Sequence, residues 1–297
     1  MSDYINFIDS RAIKLADLAF EIGDFRCASE NYSKALKRLR YYQGDRMQPA
    51  FMASELEIKI NNAKNNIHQG KTILNPEGWR LSKTSFVKGS QCLKYLYLDK
   101  HKKHEKTPFS QEKLKLFKQG HNFEETVRIN EFPGGINVKE KIGDFKYFNS
   151  YTKHLLNTKQ PIIYEATFIE NGVLVMCDIL VKNENELIDI YEIKLNSRLN
   201  EGILNDLAIQ YFICKTRFGS KLNSFNIITR SDKEGKSWNI QNVIDNLEKS
   251  YSDTSDKINL FFSTLNSSEP KITMGAHCKK PYECEFVEYC TKKSIKL

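Results

Sequence analysis

The densest apolar stretch of the chain runs as two β-rich segments, Val173–Val181 and Leu187–Leu195, with a polar break at Lys182-Asn183-Glu184-Asn185-Glu186 between them. Short apolar runs bounded by turn residues predict strands. A third run, Ile162–Ile169, leads into them through Asn171-Gly172, a pair that favours a hairpin turn, so a three-strand meander is expected. Elsewhere the apolar spacing is helical. Helices are predicted over Ile13–Leu39, broken at Gly23-Asp24, and over Gln48–Gln69, stopping at Gly70. Another begins near Ser82 or Thr84, with Phe86, Leu93 and Leu96 facing inward and Cys92 on it. Ser110–Asn130 follows, with Phe117, Phe123 and Val127 as its buried stripe and Glu124 beside that stripe. Further on come helices over Ser150–Asn157 and Asn200–Phe218, the latter with Leu204, Leu207, Ala208, Tyr211 and Phe212 at core spacing. Ser224–Thr229 reads as a strand that rejoins the sheet, and Asn239–Thr264 as a polar helix. This order predicts a mixed α/β fold, a core sheet flanked by helices, with a small all-α region at the N-terminus.

Residues 70–82 contain Pro76 and Gly78 and little periodicity. The expected division is therefore a helical domain over 1–70, a linker over 71–80 and a second domain over 81–297. In the first domain Ala16, Gly23, Ala28, Tyr32 and Ala35 fall where a tetratricopeptide repeat sets its small and aromatic packing residues, and this one hairpin resembles such a repeat. A single hairpin cannot bury its own face. The unit is expected either to cap the rest of the chain or to offer a groove to a protein partner.

Composition narrows the class. With 45 Lys and Arg against 37 Asp and Glu the formal net charge is +8, a lean toward polyanionic partners that an ordinary basic protein would also show. The Lys- and His-rich segment from Lys100 to Lys106 is expected to be a solvated loop. No run of about 18 apolar residues occurs, and no basic and apolar leader opens the sequence, so a cytoplasmic protein without membrane contact is expected. Seven cysteines would then stay reduced, and clustered ones become metal-ligand candidates.

Acidic residues inside the predicted buried strands are the first chemical signal. Burying a charge costs several kcal/mol unless a partner or metal compensates it. Asp178 is flanked by apolar residues on one strand, and Glu192 and Lys194, two apart, share a face of the next. Their convergence at one sheet edge would make a divalent-cation site with an ammonium beside it. Asp178 followed by Glu192-Ile193-Lys194 on the neighbouring strand resembles the signature of PD-(D/E)xK nucleases. In RecB-type members an acidic residue or histidine lies four residues after a glycine on the leading helix. Gly120-His121-Asn122-Phe123-Glu124 sets Glu124 there, with His121 as a rival. The resemblance implies that Asp178 and Glu192 bind Mg²⁺ or Mn²⁺ with Glu124 completing the shell, and that Lys194 orients the attacking water and stabilises charge on the scissile phosphate. RecB-type nucleases also carry Gln-x-x-x-Tyr after the lysine, and here the chain departs. Gln210 and Tyr211 are adjacent, and Leu207 stands where a glutamine paired with Tyr211 would be. Gln210 and Tyr211 remain candidates for nucleic-acid contact, with a core role for Tyr211 as the competing expectation.

Cysteines give the second signal. Cys278, Cys284 and Cys290 surround Pro281, and Cys92 far upstream supplies a fourth thiolate. Four thiolates suit an iron–sulfur cluster or structural zinc, and the spacing leaves both open. One cysteine before the core and three after it resembles the iron–sulfur staple of RecB-like nucleases, among them the AddB type and the CRISPR-associated RecB-like exonucleases, and implies a [4Fe-4S] cluster. The resemblance covers Leu81 to Lys293. Cys27, Cys177 and Cys214 lie in apolar patterns and are expected in the core. Taken together, the resemblance implies a metal-dependent deoxyribonuclease acting on DNA, with exonuclease action; DNA repair, CRISPR adaptation and antiviral phage defence are all open as its pathway. The alternative is a catalytically silent nucleic-acid-binding or scaffolding protein with the same fold and a zinc or iron–sulfur staple.

Overall fold

The computed structural model describes residues 3–42, 47–69, 78–196, 199–232, 235 and 237–294. Its first helices are α1 (Ser10–Glu21), α2 (Phe25–Leu39), α3 (Met47–His68), α4 (Lys83–Gln91), α5 (Leu93–His101) and α6 (Gln111–Glu131). They are followed by α7 (Val138–Ile142), α8 (Phe148–Leu156), α9 (Glu201–Phe218), α10 (Ile244–Glu248), α11 (Tyr251–Leu265) and α12 (Val287–Ser294). The strands are β1 (Leu81–Ser82), β2 (Ile136–Asn137), β3 (Ile162–Glu170), β4 (Val173–Lys182), β5 (Ile188–Lys194), β6 (Leu222–Arg230) and β7 (Trp238–Asn242). Among the described residues no helix is long and apolar enough to cross a membrane.

Two compact units emerge, one of Met1–Glu77 with Ile142–His154, the other of Gly78–Lys141 with Leu155–Leu297. Of the expected linker over 71–80, residues 71–77 lie outside those described. The return of 142–154 to the N-terminal unit was not legible in the sequence, and its cause is apolar. Tyr147, Phe148 and Tyr151 are buried, and the Tyr147 and Tyr151 hydroxyls meet Cys27 and Glu21. In the same unit Asp9 and Asp24 cap α1 and α2 by accepting from Ala12 and Cys27 backbone N–H groups, each at 3.0 Å. Gly23 takes the left-handed turn between the helices, and Ala16, Ala28, Tyr32 and Ala35 are buried where the helices meet. The third helix adds Leu56, Ile60 and Ala63 to the same core.

The second unit is built on a mixed seven-stranded sheet in the order β2-β3-β4-β5-β6-β7, with β1 beside β4. The meander β3-β4-β5 is antiparallel, as expected, and both Asn171 and Gly172 have the positive φ that a tight two-residue turn requires. Helix α9 then crosses over so that β6 runs parallel to β5. One sheet face packs under α6 through Val127 with Ile179, Ile193 and Ile228. The other lies under α9, where Phe218 meets Phe168 and Tyr211 meets Phe225. These faces exchange partway along the meander. Cys177 meets Cys214 of α9 at 3.6 Å, yet Ile179 two residues on packs toward α6, and on β3 Phe168 and Tyr164 divide the same way. The exchange falls at Glu165, which has φ of 54° and lies across from Asp178.

Four sequence expectations are revised. Cys92 is not helical but an extended residue at the break between α4 and α5, with φ −165° and ψ 124°. Phe117 and Leu204 are exposed at 45% and 46%, because each lies outside the stripe its helix buries. The expected helix from Asn239 begins instead as the edge strand β7, whose one-sided pairing to β6 accepts its polar residues. The Lys100–Lys106 segment is solvated as expected, with Lys100, His101, Lys103 and His104 exposed, but it is an ordered turn rather than a plain loop, Lys102 reaching the Tyr289 hydroxyl and Lys106 reaching Asp99 at 2.5 Å each.

Phe86 is fully buried at the α4–α11 contact, its ring 5.2 Å from that of Phe261. We expect Phe86→Ala to cost about 3–5 kcal/mol in chemical denaturation; a loss below about 1 kcal/mol would show that α4 does not depend on this packing.

Candidate functional site

Strands β4 and β5 pair from Lys182↔Ile188 to Ile179↔Tyr191. Beyond that point a side chain takes over the ladder: Asp178 Oδ2 accepts the Ile193 backbone N–H at 2.7 Å. The bond holds the Asp178 carboxylate against the end of β5, where Glu192 and Lys194 share the face opposite Ile193. Glu192 has no solvent exposure. Its Oε1 accepts from Lys194 Nζ at 2.6 Å and from Lys83 Nζ at 3.0 Å, while Oε2 is buried with no hydrogen-bond donor among the described residues. Lys194 also donates to Asp206 Oδ2 of α9 at 2.6 Å, and Lys83 stands 3.6 Å from the same oxygen.

The electrostatics follow from this packing. Burial alone would raise the Glu192 carboxyl, but the Lys194 and Lys83 ammonium groups outweigh it and hold the group at about 2. Asp178 goes the other way: burial, then the neighbouring Glu192 charge, push its carboxyl well above the usual carboxylate range, against the pull of Lys83. Burial opposes the Lys194 ammonium, but Asp206 and Glu192 more than offset it and keep its pKa well above the ordinary lysine value.

Glu124 approaches from α6 in ion contact with Arg128, which also donates to Glu165 Oε1 at 3.0 Å and to the Asp178 carbonyl at 3.2 Å. Burial raises Glu124, Arg128 lowers it, and Glu165 and Glu192 add to the rise. The rival His121 is exposed, 3.8 Å from Glu124. Thus Asp178, Glu192, Lys194 and Glu124 are brought to one locality, joined by four residues the sequence did not flag: Lys83, Asp206, Glu165 and Arg128. Gln210 and Tyr211 go elsewhere. Both are buried on α9, and Tyr211 donates its hydroxyl to Glu248 at 2.5 Å, so neither side chain has a face to offer a nucleic acid.

Cys92, Cys278, Cys284 and Cys290 also converge, lining one cavity of about 20 Å³. All four are free thiols. Burial, with the other three cysteines adding to it, pushes Cys284 up to about 11, and burial raises Cys290 too. Cys177 and Cys214 are buried in the core and Cys27 is half-buried. The cysteine loop is fastened by Gln91, whose amide donates to the His277 and Tyr282 carbonyls at 2.7 Å each. A charged collar surrounds it: Tyr95 and Lys88 bond Glu285 at 2.7 and 2.8 Å, and Glu269 accepts from Tyr289 at 2.9 Å and Lys293 at 2.8 Å. Among the described residues no three His, Cys, Asp or Glu side chains are disposed to hold a metal ion as they stand. The donor chemistry is nonetheless sorted into two places, hard carboxylate oxygens at the sheet edge and soft sulfurs at the tail. No protein-family model matches the chain, and no curated protein matches it.

Two outcomes test this geometry. Lys83→Met leaves Glu192 with one ammonium instead of two, and we expect a loss of about 3 kcal/mol in chemical denaturation; adding Glu192→Gln should recover part of it, whereas strictly additive losses would mean the two groups do not depend on each other. For the collar, burial would raise Glu269, but bonds from Lys293, Tyr289 and Lys102 hold it at about 2, below the ordinary value of 4.5. A depressed carboxylate stabilises the fold above its unfolded pKa and loses that contribution as pH falls through the folded one. Cysteine accessibility to an acid-active disulfide reagent should therefore rise between pH 4.5 and about 2, and less so in Glu269→Gln; identical profiles would remove Glu269 from the account.

Proposed function

We propose that this protein is a metal-dependent nuclease of the RecB-like PD-(D/E)xK group, with a structural iron–sulfur cluster at its four clustered cysteines. The observation that carries this reading is the unpartnered, fully buried Glu192 Oε2, set beside Asp178 by the Ile193 N–H bond. A carboxylate oxygen without a donor in the interior is costly, and a hard cation is the partner its chemistry fits. Asp178 and Glu192 would hold Mg²⁺ or Mn²⁺, with Glu124 in support and Glu165 as a fourth carboxylate within reach of Arg128. When bound, the cation would supply Lewis-acid polarisation of the scissile phosphate and acidify a water.

The chain's own residues do the rest. Lys194, fixed between Glu192 and Asp206, donates to a phosphate oxygen and stabilises its developing charge. Asp206 keeps that ammonium aimed, and Lys83 holds Glu192 in place from the first turn of α4. At the tail, Cys92, Cys278, Cys284 and Cys290 would close on the cluster, tying α4 and α5 to the end of the chain. Burial, with neighbouring cysteines adding to it, opposes ionisation of Cys284 and Cys290, and a thiophilic metal relieves that cost. The net charge of +8 favours a polyanionic substrate.

The silent-scaffold reading has one observation in its favour: Lys83 and Lys194 already neutralise Glu192, so the site is charge-compensated without a cation. The two readings separate in one assay. End-labelled single- and double-stranded DNA should be cleaved with Mn²⁺ or Mg²⁺ by the wild type and not by Asp178→Ala or Lys194→Ala, while both variants keep the visible absorbance of anaerobically purified protein. Cleavage by both variants, or none by the wild type, selects against the nuclease. A colourless protein with stoichiometric zinc would replace the iron–sulfur assignment by zinc.

A further inference from the structure

Beside the carboxylate site lies a cavity of about 490 Å³. Lys194 and Asp206 of the site line it, and so do Phe109, Lys113, Phe117 and Tyr282. Of its four aromatic rings only Tyr95 is a core residue: Phe109, Phe117 and Tyr282 are 40%, 45% and 40% exposed. Solvated aromatic faces gathered in one concavity mark a place where something apolar and flat is received. Phe109 and Phe117 meet edge to face with centroids 5.3 Å apart, and Lys113 Nζ stands 4.5 Å over the Phe109 ring. Helix α6 bears Lys113 and Phe117 as well as Glu124, so the aromatic wall and the acidic site share one rigid element.

The geometry points to a nucleobase subsite. It rests on the nuclease reading above: the nucleotide adjoining the phosphate at Lys194 turns its base into this cavity and stacks on Phe117 or Phe109, with Lys113 facing a neighbouring phosphate. Base-on-aromatic stacking with an adjacent cation is how unpaired nucleic acid is held without sequence preference. The cavity's size is that of a small-ligand site, and a base stacked and paired within a duplex has no free face to offer it. The subsite therefore selects an unpaired nucleotide next to the bond being cut. Tyr282 closes the cavity on the side of α9. A Cβ at Gly202 would lie 2.4 Å from the Tyr282 ring, so glycine is what lets the ring lie flat there.

The test uses the full chain with Mn²⁺ and end-labelled single-stranded oligonucleotides, either intact or carrying one abasic residue at successive positions. Phe117→Ala and Phe109→Ala should raise KM about tenfold with a smaller change in kcat, and Phe117→Tyr should restore it. On the substrate whose abasic residue lies next to the cleaved bond, the wild type should fall to the level of Phe117→Ala, which in turn should lose nothing further. Thermal melts matching wild type exclude misfolding as the cause. If the wild type cleaves and the variants equal it on every substrate, the subsite is overturned and the nuclease stands. If the wild type does not cleave, the nuclease reading fails, and anisotropy of a labelled oligothymidylate decides the subsite: about tenfold weaker binding by Phe117→Ala supports it, and equal or absent binding overturns it.

Discussion

A carboxylate with no solvent exposure governs the second unit. Glu192 lies inside a sheet, where an uncompensated charge would cost several kcal/mol, and it is tolerated because two ammonium groups converge on one of its oxygens. That requirement reaches outward through the fold. Lys83 must start α4, so β1 must bring the chain alongside β4, and Asp206 must face inward from α9 to balance the second cation. Two lysines and two acids on three elements thus hold strand β5 and two helices in register. The same compensation leaves one oxygen of Glu192 without a donor, and the chemistry of the site turns on that atom.

A second constraint lies in the backbone of the meander. Glu165 adopts a left-handed conformation inside a strand, which an L-residue with a side chain rarely does without enforcement from its surroundings. Its carboxylate is held by Arg128, which also takes the carbonyl of Asp178 across the ladder. At this point the ribbon exchanges faces: on β4 Cys177 before it meets α9 and Ile179 after it packs toward α6, and on antiparallel β3 the order is reversed. Asp178 sits at the exchange, free of ordinary pairing with β5, and so its side chain can reach the Ile193 amide. Strain at Glu165 and placement of Asp178 are two aspects of one local event.

Some of this was legible in the sequence and some was not, for physical reasons. Glu192 and Lys194 were legible because residues two apart in a strand share a face, and the meander because Asn171-Gly172 fits only a tight turn. The four cysteines were legible because such spacing around a proline turn rarely serves packing alone, and they do line one cavity. Lys83 and Asp206 were not, since a lysine in the first turn of a helix and an aspartate in a polar stretch have the appearance of solvated residues. Their importance comes from contacts 109 and 12 residues away in sequence. Phe117 misled in the opposite sense. Helical spacing assigned it to the core, but α6 buries only the narrow stripe around Val127, and Phe117 faces the cavity. Trp238–Asn242 escaped because an edge strand paired on one side has no alternation strong enough to outweigh helical propensity.

The segment 142–154 alters what it means to call the N-terminal helices a domain. The chain passes between units after Glu77, again after Lys141 and once more after His154, so three covalent connections join them. No single scission releases either unit intact. A truncation at residue 70 would leave Tyr147 and Tyr151 behind without Cys27 and Glu21, turning a buried aromatic strip into exposed surface on the remaining fragment. A fragment built on the sheet alone would therefore need a new cover for this strip.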